Sequence, residues 1–92
     1  MGGVLTLELA ILEARSLKDK RRVVHGLKQK IRNRFNVSVA ETGYHDMHKR
    51  CRLDVAMVSN ESRPLHSQLD KIVDAVRGTP GVSLINYERE LF

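Results

Sequence analysis

The sequence predicts a single α+β domain over residues 1–92, with the element order βαββαβ. Apolar and polar residues alternate at Val4–Glu13 and again around Leu53–Met57, which is typical of strands that bury one face. Two other stretches repeat their apolar residues every three or four positions, as amphipathic helices do. A chain of 92 residues is long enough for one two-layer hydrophobic core and too short for two.

The first predicted element is a strand over Val4–Glu13, and the second is a helix over Leu17–Arg34. Ser16 followed three positions later by Asp19 is similar to a helix capping box, with Asp in place of the usual Glu. The residues expected on the buried side of this helix are Leu17, Val24, Leu27, Ile31 and Phe35.

A hairpin is predicted after the first helix. Val37–Tyr44 begins with β-branched residues and predicts the second strand, and Cys51–Ser59 alternates and predicts the third. The polar segment His45–Lys49 is expected to connect them.

A second helix and a last strand complete the predicted order. The helix is expected to begin after Ser59-Asn60, with Pro64 in its first turn, where a missing N–H does no harm. Gly78 is predicted as its C-cap, and Val82–Leu91 as the strand that follows. The apolar residues expected on its buried side are Leu65, Leu69, Ile72, Val73 and Val76.

Right-handed crossovers in both βαβ halves give a ferredoxin-like arrangement, with the two helices on one face of a four-stranded antiparallel sheet. The core residues expected between the two layers include Leu7, Leu9, Val24, Leu27, Ile31, Leu53, Val55, Leu69 and Ile72. The other face of the sheet is left open to solvent or to a partner. It is expected to carry the small residues Thr6, Ala10, Ala56 and Val58.

Positive charge is concentrated in the first helix. Residues 16–35 hold eight of the 16 Lys and Arg residues and one of the 11 acidic residues. At about 100° per residue, the cations Lys18, Arg21, Arg22, Lys28 and Arg32 fall on one side of the helix, together with His25 and Gln29. We call these five cations the basic arc.

The basic arc has three possible uses: binding a polyanion such as RNA, binding an acidic protein surface, or supporting solubility as a solvated face. Ordinary helix faces mix charge signs, because opposite charges at i,i+4 stabilise a helix and like charges destabilise it. A row of like charges is therefore best tolerated when an anionic partner neutralises it.

Lys20 differs from the other cations, because it falls within the apolar stripe of the first helix. One interpretation is that its stem covers the edge of the core while its ammonium reaches water. The other is that Lys20 binds an anion at the helix N-terminus, and on that ground it joins the basic arc as a candidate RNA-binding residue.

No motif of catalysis or cofactor binding is present. The six glycines match neither a Walker loop nor a dinucleotide fingerprint, and the loop that contains Arg15 lacks the glycine-rich phosphate cradle of acylphosphatases, which share this element order. His45, His48 and Cys51 have metal-binding side chains, but all three fall in one short segment and no second ligand pair exists. We therefore expect no enzyme, no cofactor, no metal and no small-molecule substrate.

The sequence also bears on the kind of partner and on the cellular compartment. The predicted first and third strands contain no aromatic residue, which disfavours the base-stacking used by RNA-recognition modules of the same topology. No apolar run approaches the length of a membrane span, no secretory signal is evident, and the single cysteine fits a reducing interior. These features predict a cytoplasmic protein without a membrane partner.

Two segments resemble the YlxP-like family of bacterial domains of unknown function. They are Ser-Leu-Lys-Asp-Lys-Arg-Arg-Val from Ser16 and Arg-Asn-Arg-Phe-Asn-Val-Ser-Val-Ala-Glu from Arg32. The resemblance continues through Asp46 and Arg50 to Asn60. It implies a ferredoxin-like fold and a bacterial cytoplasmic protein whose gene tends to lie beside genes for translation initiation and ribosome maturation factors. It implies no activity.

The function expected from these observations is non-catalytic binding of RNA, in a ribosomal or pre-ribosomal particle, by the basic arc and Lys20. The alternative is a homodimeric protein-interaction or regulatory domain that uses the open sheet face.

Overall fold

The computed structural model describes all 92 residues and confirms the predicted order of elements. The strands and helices are β1 (Gly2–Ile11), α1 (Leu17–Arg34), β2 (Ser38–Gly43), β3 (Arg50–Val58), α2 (Ser62–Arg77) and β4 (Val82–Leu91). No helix has the length and apolar content that a membrane span requires.

The four strands form one sheet in the order β2-β3-β1-β4, and every neighbouring pair is antiparallel. Alternate residues of β1 and β3 are buried, because both helices cover the same face of the sheet. The fold is therefore ferredoxin-like, as the sequence predicts. β2 and β4 are the two edge strands.

The hydrophobic core lies between the helices and the covered face of the sheet. All nine core residues predicted from the sequence belong to one cluster of 19 buried apolar residues. The leucines of β1 and the apolar stripe of α2 have almost no exposed surface. The spacing of apolar residues in the sequence therefore identifies the buried faces correctly, except that Leu17 and Phe35 of the first helix are only half-buried.

The first strand begins and ends two residues earlier than predicted. Gly2 joins the sheet by exchanging two backbone hydrogen bonds with Phe92, at 2.6 and 2.9 Å. Leu12, which continues the alternation in the sequence, instead lies in a turn and is 55% exposed, with its N–H bonded to the carbonyl of Gly81. The first and last residues of β1 are set by its pairing with β4. The local pattern of apolar residues carries no information about this pairing.

The helix caps are partly as predicted. Ser16 is the N-cap of α1, and its Oγ accepts the Asp19 N–H at 3.1 Å, while Asp19 accepts the Arg15 N–H. Gly78 is the C-cap of α2, as expected. α2 begins after Ser59-Asn60 with Pro64 in its first turn, as expected, but its N-cap is Glu61, which makes no side-chain cap bond.

Candidate nucleic-acid interface

The basic arc lies along the outer surface of α1. Four of its side chains are exposed and Lys28 is half-buried. The structure contains two ion pairs, Lys20 with Glu41 and Arg89 with Asp70, and neither includes a residue of the arc. The helix is 18 residues long, or about 27 Å. The arc is thus an elongated surface of cations with no acidic partner.

Arg32 fixes the position of the arc relative to the sheet. Its Nη2 donates a hydrogen bond of 2.8 Å to the carbonyl oxygen of Val39 in β2. Because β2 is an edge strand, this contact places the end of the arc directly beside the outer edge of the sheet. Arg32 consequently has one N–H group occupied, whereas the other four cations of the arc make no side-chain hydrogen bond within the protein.

A second side chain contacts the same edge. The carbonyl oxygen of Glu41 lies 3.2 Å from His45 Nε2, and this nitrogen must carry the proton for a hydrogen bond to form. His45 is exposed. Nothing in the sequence signals this contact, because it depends on how the turn after β2 folds back along the strand.

The structure corrects both interpretations of Lys20. The side chain is 2% exposed, so its ammonium neither reaches water nor can contact RNA. Instead Nζ lies 2.9 Å from Glu41 Oε2 and donates to the carbonyl oxygen of Tyr44 at 2.6 Å. Burial of the ammonium is compensated by these two partners, as a buried charge requires. Lys20 therefore joins α1 to β2 and is not part of the interface.

Tyr44 adopts an uncommon backbone conformation at the end of β2. Its φ is +62°, a left-handed value that costs a non-glycine residue about 1–2 kcal/mol. This conformation directs the Tyr44 carbonyl to Lys20 Nζ, and the guanidinium of Arg50 covers the Tyr44 ring at 4.9 Å. The two contacts hold the strained residue in place.

Comparison with known proteins gives the family. Residues 3–89 match the family described as "Protein of unknown function (DUF503)". The chain belongs to this family. It is also 32% identical over 82 residues to a Bacillus subtilis (strain 168) protein described as "Uncharacterized protein YlxP", with 89% of each chain covered. The predicted resemblance to the YlxP-like family is confirmed, and the family assigns no activity.

The histidine and cysteine side chains of this DUF503 domain are not brought together. Cys51 is fully buried beneath the helices, and His45 lies outside on the edge of β2. No group of three or more His, Cys, Asp or Glu residues could hold a metal ion. Burial, followed by the negative charge of Glu41, raises the pKa of the Cys51 thiol to about 12, so the thiol is un-ionised at neutral pH.

Lys30 is a structural residue that the sequence does not reveal. It lies on α1 but outside the basic arc, and its Nζ donates to Thr79 Oγ1 at 2.9 Å and to the Ala75 carbonyl at 3.3 Å. Ala75 is in the last turn of α2. Lys30 therefore satisfies a carbonyl at the end of the second helix and joins the two helices of the domain.

The open sheet face is polar in the middle and apolar at one end. Thr6 donates to Asp54 at 2.5 Å, and Arg52 donates to the Thr42 carbonyl at 2.9 Å. At the end of the sheet, Val58 is 84% exposed and Phe92 is 71% exposed. The two most exposed apolar side chains of the domain therefore lie together at the end where β1 begins and β4 finishes.

Proposed function

We propose that this DUF503 domain is a non-catalytic RNA-binding protein of the cytoplasm, and that the basic arc contacts the phosphates of structured RNA in a ribosomal or pre-ribosomal particle. The observation that carries the proposal is that the five cations share one helix face and none has an acidic partner. Lys20 is excluded from the interface, because its ammonium is buried.

The energetics of the arc support a polyanionic partner. Like charges along a helix face cost roughly a few tenths of a kcal/mol per pair, and phosphates that neutralise the row remove this cost. Lys and Arg contacts to phosphate fix the position of a protein on a nucleic acid without reading its sequence. We therefore expect high salt sensitivity and little sequence preference.

The aromatic residues favour structured RNA over single strands. Proteins that bind single strands stack bases on exposed aromatic side chains beside a basic groove. Here Arg34 covers Phe35 and Arg50 covers Tyr44, and Phe92 lies at the end of the open sheet face. The arc has no free aromatic surface beside it, so contacts to the backbone of folded RNA fit it better.

A homodimer formed through the open sheet face is the second candidate. The exposure of Val58 and Phe92 favours it, because exposed apolar residues that lie together are typical of interfaces. Polar contacts in the middle of this face, such as Thr6 with Asp54, leave only a small apolar area. Analytical ultracentrifugation of the parent and of Val58→Asp decides whether a dimer forms there.

Binding to ribosomal subunits and their precursors, by co-sedimentation at graded salt, tests the proposal. A triple variant, Lys18→Gln with Arg21→Gln and Arg22→Gln, should weaken binding to all RNA sequences alike. The slope of log K against log salt should become shallower by about 2–3, because each lost phosphate contact removes roughly 0.7–0.9.

The matched control removes three cations from α2, at Arg63, Lys71 and Arg77, and so lowers the net charge equally. We expect it to change the affinity and the salt slope much less than the arc variant does. Equal effects of the two triple variants would mean that net charge, and not the arc, attracts RNA. Unchanged binding by the arc variant would leave the sheet-face dimer as the better proposal.

A further inference from the structure

We propose that the RNA-binding surface continues from the basic arc onto the outer edge of β2, where the N–H groups of Val39 and Glu41 donate hydrogen bonds to RNA phosphate oxygens. This inference rests on the proposed function and names a part of the interface that carries no charge of its own.

The direction of these N–H groups follows from the hydrogen bonds of the sheet. The Gly2 N–H bonds to Phe92, so the even-numbered residues of β1 direct their backbone groups toward β4. The Ile11 N–H bonds to the Lys49 carbonyl, so the odd-numbered residues of β1 face β3.

In β3 and β2 as well, the backbone groups of successive residues point alternately to one side and the other within the sheet. In β3, Asp54 and Ala56 lie opposite even-numbered residues of β1 and therefore direct their backbone groups toward β2, where their partners are Ala40 and Ser38. The residues between, Val39 and Glu41, direct both N–H and C=O away from the sheet.

The outward carbonyls are already occupied. Arg32 donates to the Val39 carbonyl and His45 lies against the Glu41 carbonyl. An added peptide strand needs donors and acceptors alternating along the edge, and here the acceptors are taken by side chains. The edge therefore offers donors to an outside partner, which suits a group that only accepts, such as a phosphate oxygen.

The local charge also favours an anion at this edge. The Glu41 side chain lies on the covered side of the sheet, where the Lys20 ammonium neutralises it at 2.9 Å. The guanidinium of Arg32 stands beside the Val39 carbonyl. The positive charge at the edge is thus not cancelled by the acid of the same strand.

Nuclear magnetic resonance of the ¹⁵N-labelled protein, titrated with a short RNA duplex at low salt, tests the inference directly. The amide signals of Val39 and Glu41 should shift and saturate together with that of Arg21 in the arc. The amides of Tyr87 and Arg89 also point outward, but from the opposite edge, and should not shift. Shifts at Arg21 without shifts in β2 would overturn this inference and leave the proposed function standing. No shift at any position would overturn both.

A backbone substitution supplies a second test. Cys51 allows the chain to be assembled by ligation of residues 1–50 to residues 51–92, with an ester replacing the amide of Val39. This change removes the N–H and keeps the side chain. We expect RNA affinity to fall about three- to tenfold with an unchanged salt slope, because no charge is lost. The matched ester at Arg89 should bind as the parent does. Equal affinity of the two esters would overturn the inference.

Discussion

The ammonium of Lys20 lies 2.9 Å from the carboxylate of Glu41, and this ion pair joins the first turn of α1 to the edge strand β2. The neighbouring residues Arg21 and Arg22 are exposed on the same helix and have no acidic partner. Three consecutive cations in the sequence therefore lie in two different environments. Their positions around the helix decide which environment each one has.

Breaking this ion pair should destabilise the domain. Lys20→Met leaves the Glu41 carboxylate without its partner, and removal of one member of a buried pair costs about 3–5 kcal/mol. We expect a loss near the lower limit, because the Glu41 side chain is still 20% exposed. The free energy of unfolding, measured in urea, gives the value.

The double variant Lys20→Met with Glu41→Gln is the control for the ion pair. It should recover much of the lost stability, because replacing both charges of a buried pair is often close to neutral. RNA binding by the double variant should match that of the parent. A loss of RNA binding in a stably folded double variant would show that Lys20 belongs to the interface after all.

The buried thiol predicts a loss of stability at alkaline pH. The pKa of Cys51 is raised to about 12 in the folded protein, from an ordinary value of 9.0. Between these values the unfolded chain releases a proton that the folded protein keeps, so the free energy of unfolding decreases as pH rises, by at most about 1.4 kcal/mol per pH unit.

Urea denaturation of the parent and of Cys51→Ala between about pH 8 and about pH 11 isolates this effect, because the other titrating groups are common to both proteins. The parent should lose stability more steeply than the variant. Parallel curves would mean that the thiol ionises in the folded protein as it does in the unfolded chain.

The core is tested by truncating one predicted residue. Leu27 is 2% exposed, and Leu27→Ala should lower the free energy of unfolding by about 2–5 kcal/mol, because it removes buried methyl groups and leaves a cavity. Val58→Ala removes apolar atoms from a side chain that is 84% exposed, and should change stability by less than about 0.5 kcal/mol. Similar effects at both positions would contradict the assignment of the buried face.

The sequence predicts the fold well, because its signals are local. Apolar periodicity marks the helices and strands, and turn or capping residues mark where they end. The limits of β1 could not be predicted, because its pairing with Phe92 joins opposite ends of the chain. The basic arc follows from the sequence alone, because helix geometry fixes the position of each residue around α1. The partners of Lys20, Arg32 and His45 all lie on β2 or immediately after it, and no local pattern shows how that strand is placed beside α1.

Lys30 and Arg21 provide the sharpest comparison of a structural cation with a proposed interface cation on one helix. Lys30→Gln should destabilise the domain by about 1 kcal/mol, because Thr79 and the Ala75 carbonyl lose their charged donor. It should leave the salt slope of RNA binding unchanged. Arg21→Gln should do the reverse: stability within about 0.5 kcal/mol of the parent, and a salt slope shallower by about 0.7–0.9. The two variants remove the same charge from the same helix, so their difference reports position alone. If both shifted the salt slope equally, α1 would act through its total charge, and the basic arc would have no separate role.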